Sequence, residues 1–380
     1  MRNFLLCLLL SFSAILRAQT YPQFGREIPV TITGDTVPDA MEPFISFDGK
    51  YMFFNSLNNG TTTTLYYAIY TNDSTFSFQG RLNGANLINP PHLDAVASMD
   101  TGNRFVWVTT RNYPSTYHNV MRGKFTGNSV IDTGRMLGNI YINIPGWIVM
   151  DCMLNYSGNR LYCANAYFNG CAGGVPCISQ LNVASMVNDS TYNVMPTSAA
   201  QLAKVDDTGY DVYAPNTSFD DLELYYTRLK HGTFQTEVCV SVRNTITDTF
   251  SLPSVIYTDP LYVIEAPTIS TDKMRLYYHK KQGSNFKLYL RYRIHPGGVN
   301  DIANSNDIHI YPNPATNQIH IDNLQNQNED FFVDIYDAVG RCVMHIHRQV
   351  NVNTSLLAKG VYTLVIRQKG MVFEKKLIIL

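Results

Sequence analysis

The sequence predicts an all-β protein in which a five-bladed β-propeller is followed by an immunoglobulin-like β-sandwich. The 380 residues include 25 tyrosines and 19 phenylalanines, which favour strands, and 24 glycines and 17 prolines, which favour turns. One strand-turn-strand segment recurs five times, and the character of the sequence changes near Asp307. The formal net charge of -1 argues against a nucleic-acid partner, because such binders carry strongly basic surfaces.

The first 18 residues are predicted to be a secretory signal peptide. Arg2 supplies the positive charge, and the apolar run from Phe4 to Leu16 is too short to cross a bilayer. We expect cleavage after Ala18. Because no later segment has about 18 consecutive apolar residues, no membrane span is expected in the mature chain.

Five similar segments occupy the predicted propeller, residues 19–295. They begin at Glu42, Asp94, Asp151, Ala214 and Ala266. Their matching turn positions, roughly 50 to 60 residues apart, are Ser46, Ser98, Asn155, Ser218 and Ser270. In each segment a short strand ends in a polar turn, and the next strand carries apolar and aromatic residues such as Phe53-Phe54. A repeat of this size with several strands in each unit is typical of propeller blades.

These segments resemble the TolB-type, WD40-like propeller repeat, whose usual pattern is Pro-x-x-Ser-Pro-Asp-Gly. The full Asp-Gly pair occurs once, at Asp48-Gly49, and the proline ahead of it is replaced. The fifth segment ends near Arg293 before a fourth strand can form, whereas the strand-like residues Ile28 to Asp35 belong to no segment. We expect these residues to pair with Phe286 to Arg293 and to close a ring of five blades.

A tail, residues 307–380, follows a predicted linker at residues 296–306 that is rich in Gly, Asn, Asp and Ser. The tail contains YPNP from Tyr311, a DxxGR turn at Asp337 to Arg341, KGVY at Lys359 to Tyr362 and a basic, apolar last strand. These strings resemble the type A C-terminal sorting domain of the type IX secretion system of Bacteroidetes. The short runs of alternating apolar and polar residues in the tail predict an antiparallel sandwich of about seven strands. The resemblance implies the type IX machinery as a partner and a secreted or cell-surface location.

Each repeat has an acidic residue at or just before its first strand. These candidates for catalysis are Glu42, Asp94, Asp151, Asp211 and Glu265. The first strand of a propeller blade usually lines the central channel, so the carboxyl groups are expected to surround one mouth of that channel. Crowded carboxyl groups repel one another unless they share protons or hold a cation, and such crowding raises pKa values.

Three roles are open to these carboxyl groups. They could bond to backbone amides and hold the blades together, which their recurrence in every repeat favours. They could bind a cation, a sugar or a basic peptide, with Trp147, Tyr213 and Tyr262 as apolar surface. Two or three of them could also act as acid, base or nucleophile in glycoside cleavage. We therefore predict a binding or scaffold module for a glycan or protein, with a glycoside hydrolase as the alternative.

The cysteines predict one disulfide. Cys171 and Cys177 flank the short segment CAGGVPC, and an exported chain meets an oxidising compartment. Cys152 and Cys163 lie at equal distances from a Ser-Gly turn and could face each other across a hairpin, although buried free thiols are the favoured interpretation.

No metal site or cofactor is predicted. The chain lacks CxxC and HExxH spacings. It also lacks a GxSxG elbow, a GxxxxGK[ST] phosphate loop and a GxGxxG turn after a strand.

Overall fold

The structure, a computed structural model, describes residues 20–34, 39–56, 62–86, 92–110, 118–171, 175–294, 308–322, 331–338, 341–368 and 371–380. The predicted signal peptide and the predicted linker lie outside the described residues. Within them the chain is all-β, with thirty strands and one short helix. In this part of the chain, no helix is long and apolar enough to span a membrane.

Five sheets follow one another between residues 20 and 294. The strands of the first part are β1 (Gln23–Phe24), β2 (Ile28–Pro29), β3 (Thr31–Thr33), β4 (Met41–Ile45), β5 (Tyr51–Asn55), β6 (Thr62–Thr63), β7 (Leu65–Asn72) and β8 (Thr75–Arg81). Sheet 1 has the order β3-β8-β7-β5-β4. Sheet 2 consists of β9 (His92–Met99), β10 (Arg104–Thr110), β11 (Val120–Phe125) and β12 (Val130–Arg135), with β6 at the edge of β9.

The next three sheets have the same antiparallel order. Sheet 3 consists of β13 (Trp147–Leu154), β14 (Arg160–Tyr167), β15 (Ile178–Asn188) and β16 (Thr191–Val194). After α1 (Ser198–Leu202), sheet 4 consists of β17 (Tyr210–Thr217), β18 (Glu223–Lys230), β19 (Thr236–Val242) and β20 (Ser254–Thr258). Sheet 5 consists of β21 (Ile264–Ile269), β22 (Arg275–Gln282) and β23 (Asn285–Ile294), with β1 and β2 paired to β23.

The N-terminal segment joins sheet 5 to sheet 1. Ile28 and Pro29 pair with β23, which agrees with the expected pairing, but β3 pairs in parallel with β8 of sheet 1. The change of partner falls between Val30, whose N–H donates to Leu288, and Thr31, whose N–H donates to Ser74. Successive N–H groups of an extended strand point to opposite edges, so one segment bonds to two sheets. The expectation that Ile28 to Asp35 pairs with sheet 5 is therefore wrong for Thr31 to Thr33, and Asp35 lies outside the described residues.

The second strand of each sheet packs against neighbouring sheets, as its aromatic residues predict. Phe53 of β5 is fully buried, and its ring centroid lies 5.1 Å from that of Phe105 in sheet 2. Tyr277 of β22 contacts Phe76 of sheet 1 with centroids 5.9 Å apart. Rings of this size bury large apolar areas, so these contacts stabilise the faces between sheets.

The turn after each first strand has a common hydrogen-bond pattern. The N–H of Ser46 donates to the carbonyl of Tyr51, and the N–H of Tyr51 donates back to Ser46 Oγ at 2.9 Å. Asp100 makes the same pair of bonds with Arg104 in sheet 2, where its carboxylate replaces the hydroxyl. The structural counterpart of Ser46 is therefore Asp100, and the sequence match to Ser98 is wrong by two residues.

The tail forms two sheets on one apolar core. One sheet has β24 (His309–Tyr311), β25 (Gln318–Asp322) and β28 (Asn351–Asn353), and the other has β26 (Phe331–Tyr336), β27 (Cys342–His347), β29 (Gly360–Gln368) and β30 (Met371–Ile379). Ile319 and Ile321 of the first sheet pack with Val333 and Leu364 of the second. Asp337 accepts a hydrogen bond from the N–H of Arg341 at 2.9 Å, which is turn chemistry.

A disulfide joins Cys171 to Cys177, with their Cα atoms 5.5 Å apart. Cys152 and Cys163 are register partners on β13 and β14, and both are buried free thiols. The hairpin geometry and the free thiols considered from the sequence thus occur together.

Candidate functional site

The first strands of the five sheets adjoin in a cycle. β4 contacts β9, β9 contacts β13, β13 contacts β17, β17 contacts β21, and β21 contacts β4. A narrow cavity of about 30 Å³ is lined by residues of all five strands. The ends of these strands therefore determine what surrounds the common axis.

Side chains of one sheet accept hydrogen bonds from backbone N–H groups of the next sheet, and these N–H groups take no part in the regular β-ladder. Four residues occupy equivalent positions at positive φ: Glu42 (50°), Val96 (52°), Ala214 (49°) and Ala266 (54°). Such a bulge turns the N–H out of its own sheet. The four bonds run from Glu42 to His279 Nδ1 (2.9 Å), from Val96 to Asn55 Oδ1 (3.4 Å), from Ala214 to Asp151 Oδ2 (3.0 Å) and from Ala266 to Thr227 Oγ1 (2.9 Å). Each acceptor belongs to the preceding sheet, and sheet 5 precedes sheet 1.

A comparison of the four acceptor residues explains the structural role of Asp151. Asn55, Thr227 and His279 all end the aromatic run of a second strand, and the corresponding residue of sheet 3 is Ala164, which has no side-chain acceptor. Asp151 of β13 supplies the missing oxygen. This contact is the amide-bonding role that the sequence allowed for the carboxyl groups.

A second set of hydrogen bonds between sheets lies three residues further along the first strands. The N–H of Leu154 donates to Ser98 Oγ at 2.9 Å, and the N–H of Ile269 donates to Asn216 Oδ1 at 3.0 Å. The N–H of Ile45 in sheet 1 contacts Thr268 Oγ1 of sheet 5 at 3.5 Å. Together the two sets join every consecutive pair of the five sheets in the described part of the chain.

The structure brings three of the five candidate acids to one open cavity of about 190 Å³ and leaves two outside it. Glu42, Asp151 and Glu265 line the cavity. Asp94 is buried away from it and accepts a hydrogen bond from the indole of Trp107 at 3.1 Å. Asp211 accepts a bond from the N–H of Ser179 at 2.9 Å. The expectation that all five carboxyl groups surround one mouth is therefore wrong for two of them.

Most of the residues that line the cavity are apolar. The apolar lining residues are Met41, Leu93, Ala95, Val96, Val108, Ile148, Val149, Met150, Phe168, Val175, Pro176 and Leu229. Val175 and Pro176 belong to the loop closed by the disulfide. Polar groups beside the acids come from Asn55, Thr109, Asn119 and Tyr213, and no Lys, Arg or His is among the described lining residues.

His279 connects two of the acids. Its Nδ1 accepts the N–H of Glu42, so Nδ1 carries no proton, and Nε2 lies 3.2 Å from Glu265 Oε2. The hydrogen bonds therefore assign the proton of a neutral imidazole to Nε2, which donates to Glu265. Tyr213 donates its hydroxyl proton to the other oxygen, Glu265 Oε1. Both oxygens of this carboxylate are thus held in place.

The pKa values of the three acids are shifted in opposite directions. Burial raises the pKa of Glu42 to about 8, and the nearby carboxylates of Asp151 and Glu265 add to the increase. Burial also raises the pKa of Asp151 to about 7, against the hydrogen bond from Ala214. Burial would raise the pKa of Glu265 as well, but the hydrogen bonds from His279 and Tyr213 outweigh it and hold that pKa below its ordinary value. At neutral pH the cavity therefore combines a protonated acid with an ionised one.

Of the three predicted aromatic residues, one lines the cavity and two do not. Tyr213 lines the cavity. Trp147 is half-buried against Tyr167, with ring centroids 5.6 Å apart, and Tyr262 is 40% exposed beside Lys280. Neither of these two residues lines the cavity.

The opposite end of the first strands is occupied by turn residues. The rings of Phe47 in sheet 1 and Tyr156 in sheet 3 lie 5.1 Å apart, and Tyr156 contacts Phe219 of sheet 4 at 6.1 Å. Sheets 1 and 3 do not follow one another in the cycle of first-strand contacts, so this aromatic cluster, Phe47, Tyr156 and Phe219, joins the turns of three sheets at that end.

Sequence reasoning missed His279 and Asn55. A signal was present, since FFN, YYT and YYH place a hydrogen-bonding residue directly after the aromatic pair of β5, β18 and β22. Among the described residues, no group of three His, Cys, Asp or Glu side chains is arranged to hold a metal ion.

Residues 309–380 match the family described as secretion system C-terminal sorting domain. This match confirms the resemblance drawn from the YPNP, DxxGR and KGVY strings. The tail therefore directs export by type IX secretion to the cell surface or the extracellular space.

Solved structures similar to this chain include propellers of the TolB type and glycoside hydrolases. TolB from Acinetobacter baumannii shares 12% identity over 68% of this chain and 55% of that chain, with a TM-score of 0.39. Zg3597, a family 117 glycoside hydrolase from Zobellia galactanivorans, shares 10% identity over 72% and 90%, with a TM-score of 0.46. The endo-arabinase from Bacteroides thetaiotaomicron shares 12% over 70% and 97%, with a TM-score of 0.43.

This chain spans just over half the length of that TolB. Among curated proteins, none matches the chain. Similarities at these identities and TM-scores carry no argument about activity.

Proposed function

We propose that residues 19–295 form a single five-bladed propeller, exported after removal of residues 1–18 and joined by the linker 296–306 to an immunoglobulin-like sorting domain at 307–380. Support for five blades comes from the cycle of first-strand contacts and from the inter-sheet hydrogen bonds, which include bonds between sheet 5 and sheet 1. A closed ring leaves few strand edges exposed, which suits a protein that works outside the cell.

We further propose that the propeller is a recognition module for a glycan or a protein. The observation that carries this proposal is the open cavity, in which three carboxyl groups and apolar walls occur with no cationic side chain among the described lining residues. Such a cavity suits a group that combines hydrogen-bond donors with an apolar face, for example a sugar hydroxyl face or a lysine side chain. Glu265 supplies the fixed charge, because His279 and Tyr213 hold it ionised.

Glycoside hydrolysis is the second candidate function. Retaining and inverting glycosidases use one carboxyl group with a raised pKa as acid and a second, ionised one as nucleophile or base. Glu42 and Glu265 differ in this way within one cavity. In this role Glu42 would protonate the leaving oxygen and Glu265 would act on the sugar ring or on water.

One set of variants separates the two functions. The purified protein is applied to a glycan array and a basic-peptide array, and released reducing sugar is measured in parallel. Glu265→Gln and Glu42→Gln alter the cavity, whereas Asp94→Asn is the matched control, because Asp94 lies outside the cavity and Asn still accepts the Trp107 bond.

Binding that falls at least about tenfold in Glu265→Gln and is unchanged in Asp94→Asn supports the recognition module. Sugar release that both cavity variants abolish supports the hydrolase. The absence of binding and of turnover on both arrays, or equal binding by all variants, contradicts a function at this cavity.

A further inference from the structure

Sheet 3 places two thiols opposite each other. Cys152 on β13 and Cys163 on β14 are register partners in a regular part of the antiparallel ladder. At the turn of this hairpin the N–H of Asn155 donates to the carbonyl of Arg160 at 3.1 Å, so that pair is hydrogen-bonded. Hydrogen-bonded and non-bonded pairs alternate along an antiparallel ladder, and the cysteine pair is three steps away. It is therefore a non-bonded pair, the kind in which side chains are closest.

The backbone spacing at such a pair is compatible with a covalent link. Cα atoms of a non-hydrogen-bonded pair lie about 4.5 Å apart, and disulfides connect Cα atoms separated by about 4.4 to 6.8 Å. Both thiols also point to one face of the sheet, because they share a core cluster with Leu154 and Leu161. Burial raises the pKa of Cys152, and the neighbouring Cys163 contributes to the increase, which agrees with close thiols.

We propose that Cys152 and Cys163 form a second disulfide when the chain folds outside the cytoplasm. A thiolate of one cysteine attacks a low-molecular-weight disulfide or an oxidised dithiol protein and releases one thiol of that oxidant. The thiolate of the second cysteine then attacks the mixed disulfide and releases the other. One S–S bond forms in the chain, two S–H protons are lost, and the oxidant's disulfide becomes two thiols.

Folding is the stage at which this exchange takes place. In the folded chain both thiols are buried, and burial raises their pKa values, so little thiolate is available to react. In the unfolded chain both sulfurs are in water. An oxidising compartment and an in-register hairpin then favour the link before the sheet is covered.

The link would lie beside the candidate site. Cys152 follows Asp151, which lines the open cavity and holds the bulge N–H of Ala214, and Cys152 itself lines the narrow axial cavity. The existing Cys171–Cys177 disulfide closes the loop after β14. Two disulfides would therefore fix sheet 3 at the middle of β13 and at the loop that forms the cavity wall.

Peptide mapping tests the proposal directly. The full chain is unfolded and reduced, refolded in reduced and oxidised glutathione, then quenched with N-ethylmaleimide in denaturant and digested for mass spectrometry. We expect one peptide pair joined through Cys152 and Cys163, with Cys239 alkylated. Alkylation of both Cys152 and Cys163, or a link from either to Cys239, would overturn the proposal.

Variants supply an independent readout. Cys163→Ser removes the pair, and Cys239→Ser is the matched control, because Cys239 is equally buried but lies in sheet 4. Reduction should lower the Tm of the wild type and of Cys239→Ser by more than that of Cys163→Ser, which can lose only the Cys171–Cys177 bond. An equal decrease in all three proteins contradicts the second disulfide, and the peptide map on the wild type decides the question if a variant does not fold.

Discussion

Replacing Glu42 by Gln should remove the pH dependence that this carboxyl group imposes on stability. Glu42 faces Asp151 and Glu265 across the cavity, and His279 bonds to its backbone. Its ordinary pKa of 4.5 rises to about 8 in the folded protein. Gln keeps the shape of the protonated acid but cannot ionise.

The size of the effect follows from proton linkage. Below about pH 4.5 both the folded and the unfolded chain hold the Glu42 proton, and the folded state has its full stability. Between pH 4.5 and about 8 only the folded chain keeps this proton. Stability therefore falls as pH rises, by about 1.4 kcal/mol for each pH unit. Between pH 5 and pH 8 the loss due to Glu42 is about 3 to 4 kcal/mol.

Urea unfolding at pH 5, 6, 7 and 8 measures this loss. Both tryptophans of the chain, Trp107 and Trp147, lie in the first five sheets, so their fluorescence reports on that part and not on the tail. The unfolding free energy of Glu42→Gln should increase relative to that of the wild type by about 3 to 4 kcal/mol between pH 5 and pH 8.

Asp189→Asn provides the control, because the Asp189 side chain is 88% exposed. Its stability should follow the wild type at every pH. Parallel curves for the wild type and Glu42→Gln would refute the reasoning, since Glu42 would then titrate alike in the folded and unfolded chains.

Four further substitutions test two hydrogen bonds between sheets and one buried ion pair by urea unfolding at pH 7. Asp151→Ala should be less stable than Asp151→Asn by about 1 to 3 kcal/mol, because both variants remove the buried charge but only Asn keeps an oxygen for the N–H of Ala214. Thr227→Val should cost a similar amount for the bulge N–H of sheet 5, and an unchanged midpoint would contradict a stabilising role for that bond. Arg243→Met should cost about 3 to 5 kcal/mol, because it leaves the buried Asp221 without its fully buried cationic partner; a loss below about 1 kcal/mol would show that Asp221 is satisfied by its other contacts.

The sequence predicted the repeated sheets, but it aligned one of the repeats incorrectly. The aromatic pair at Phe53-Phe54 and its counterparts are conspicuous because they pack between sheets. The Ser98 match failed because a carboxylate can replace the serine hydroxyl in the turn, so Asp100 has the same role two residues later. A match of residue types does not show which side-chain atom accepts a hydrogen bond.

Three of the five predicted acids line the cavity, and a bulge explains why Asp94 does not. Alternation along β9 would place Asp94 and Val96 on the same face. Positive φ at Val96 and a register shift opposite β9 break that alternation, and Asp94 meets Trp107 instead. Such bulges depend on acceptors in the preceding sheet, which a single repeat does not contain.

The aromatic cluster of Phe47, Tyr156 and Phe219 limits how a long molecule could use this protein. In the proposed five-bladed ring, this cluster lies at one end of the axis and only about 30 Å³ of space lies behind the acids, so such a ring would not admit a threaded polymer. A ligand of the proposed cavity would then reach Glu265 with a chain terminus, a branch or a protruding side group, and it would leave by the way it entered. A polysaccharide would be sampled at its tips rather than along its length.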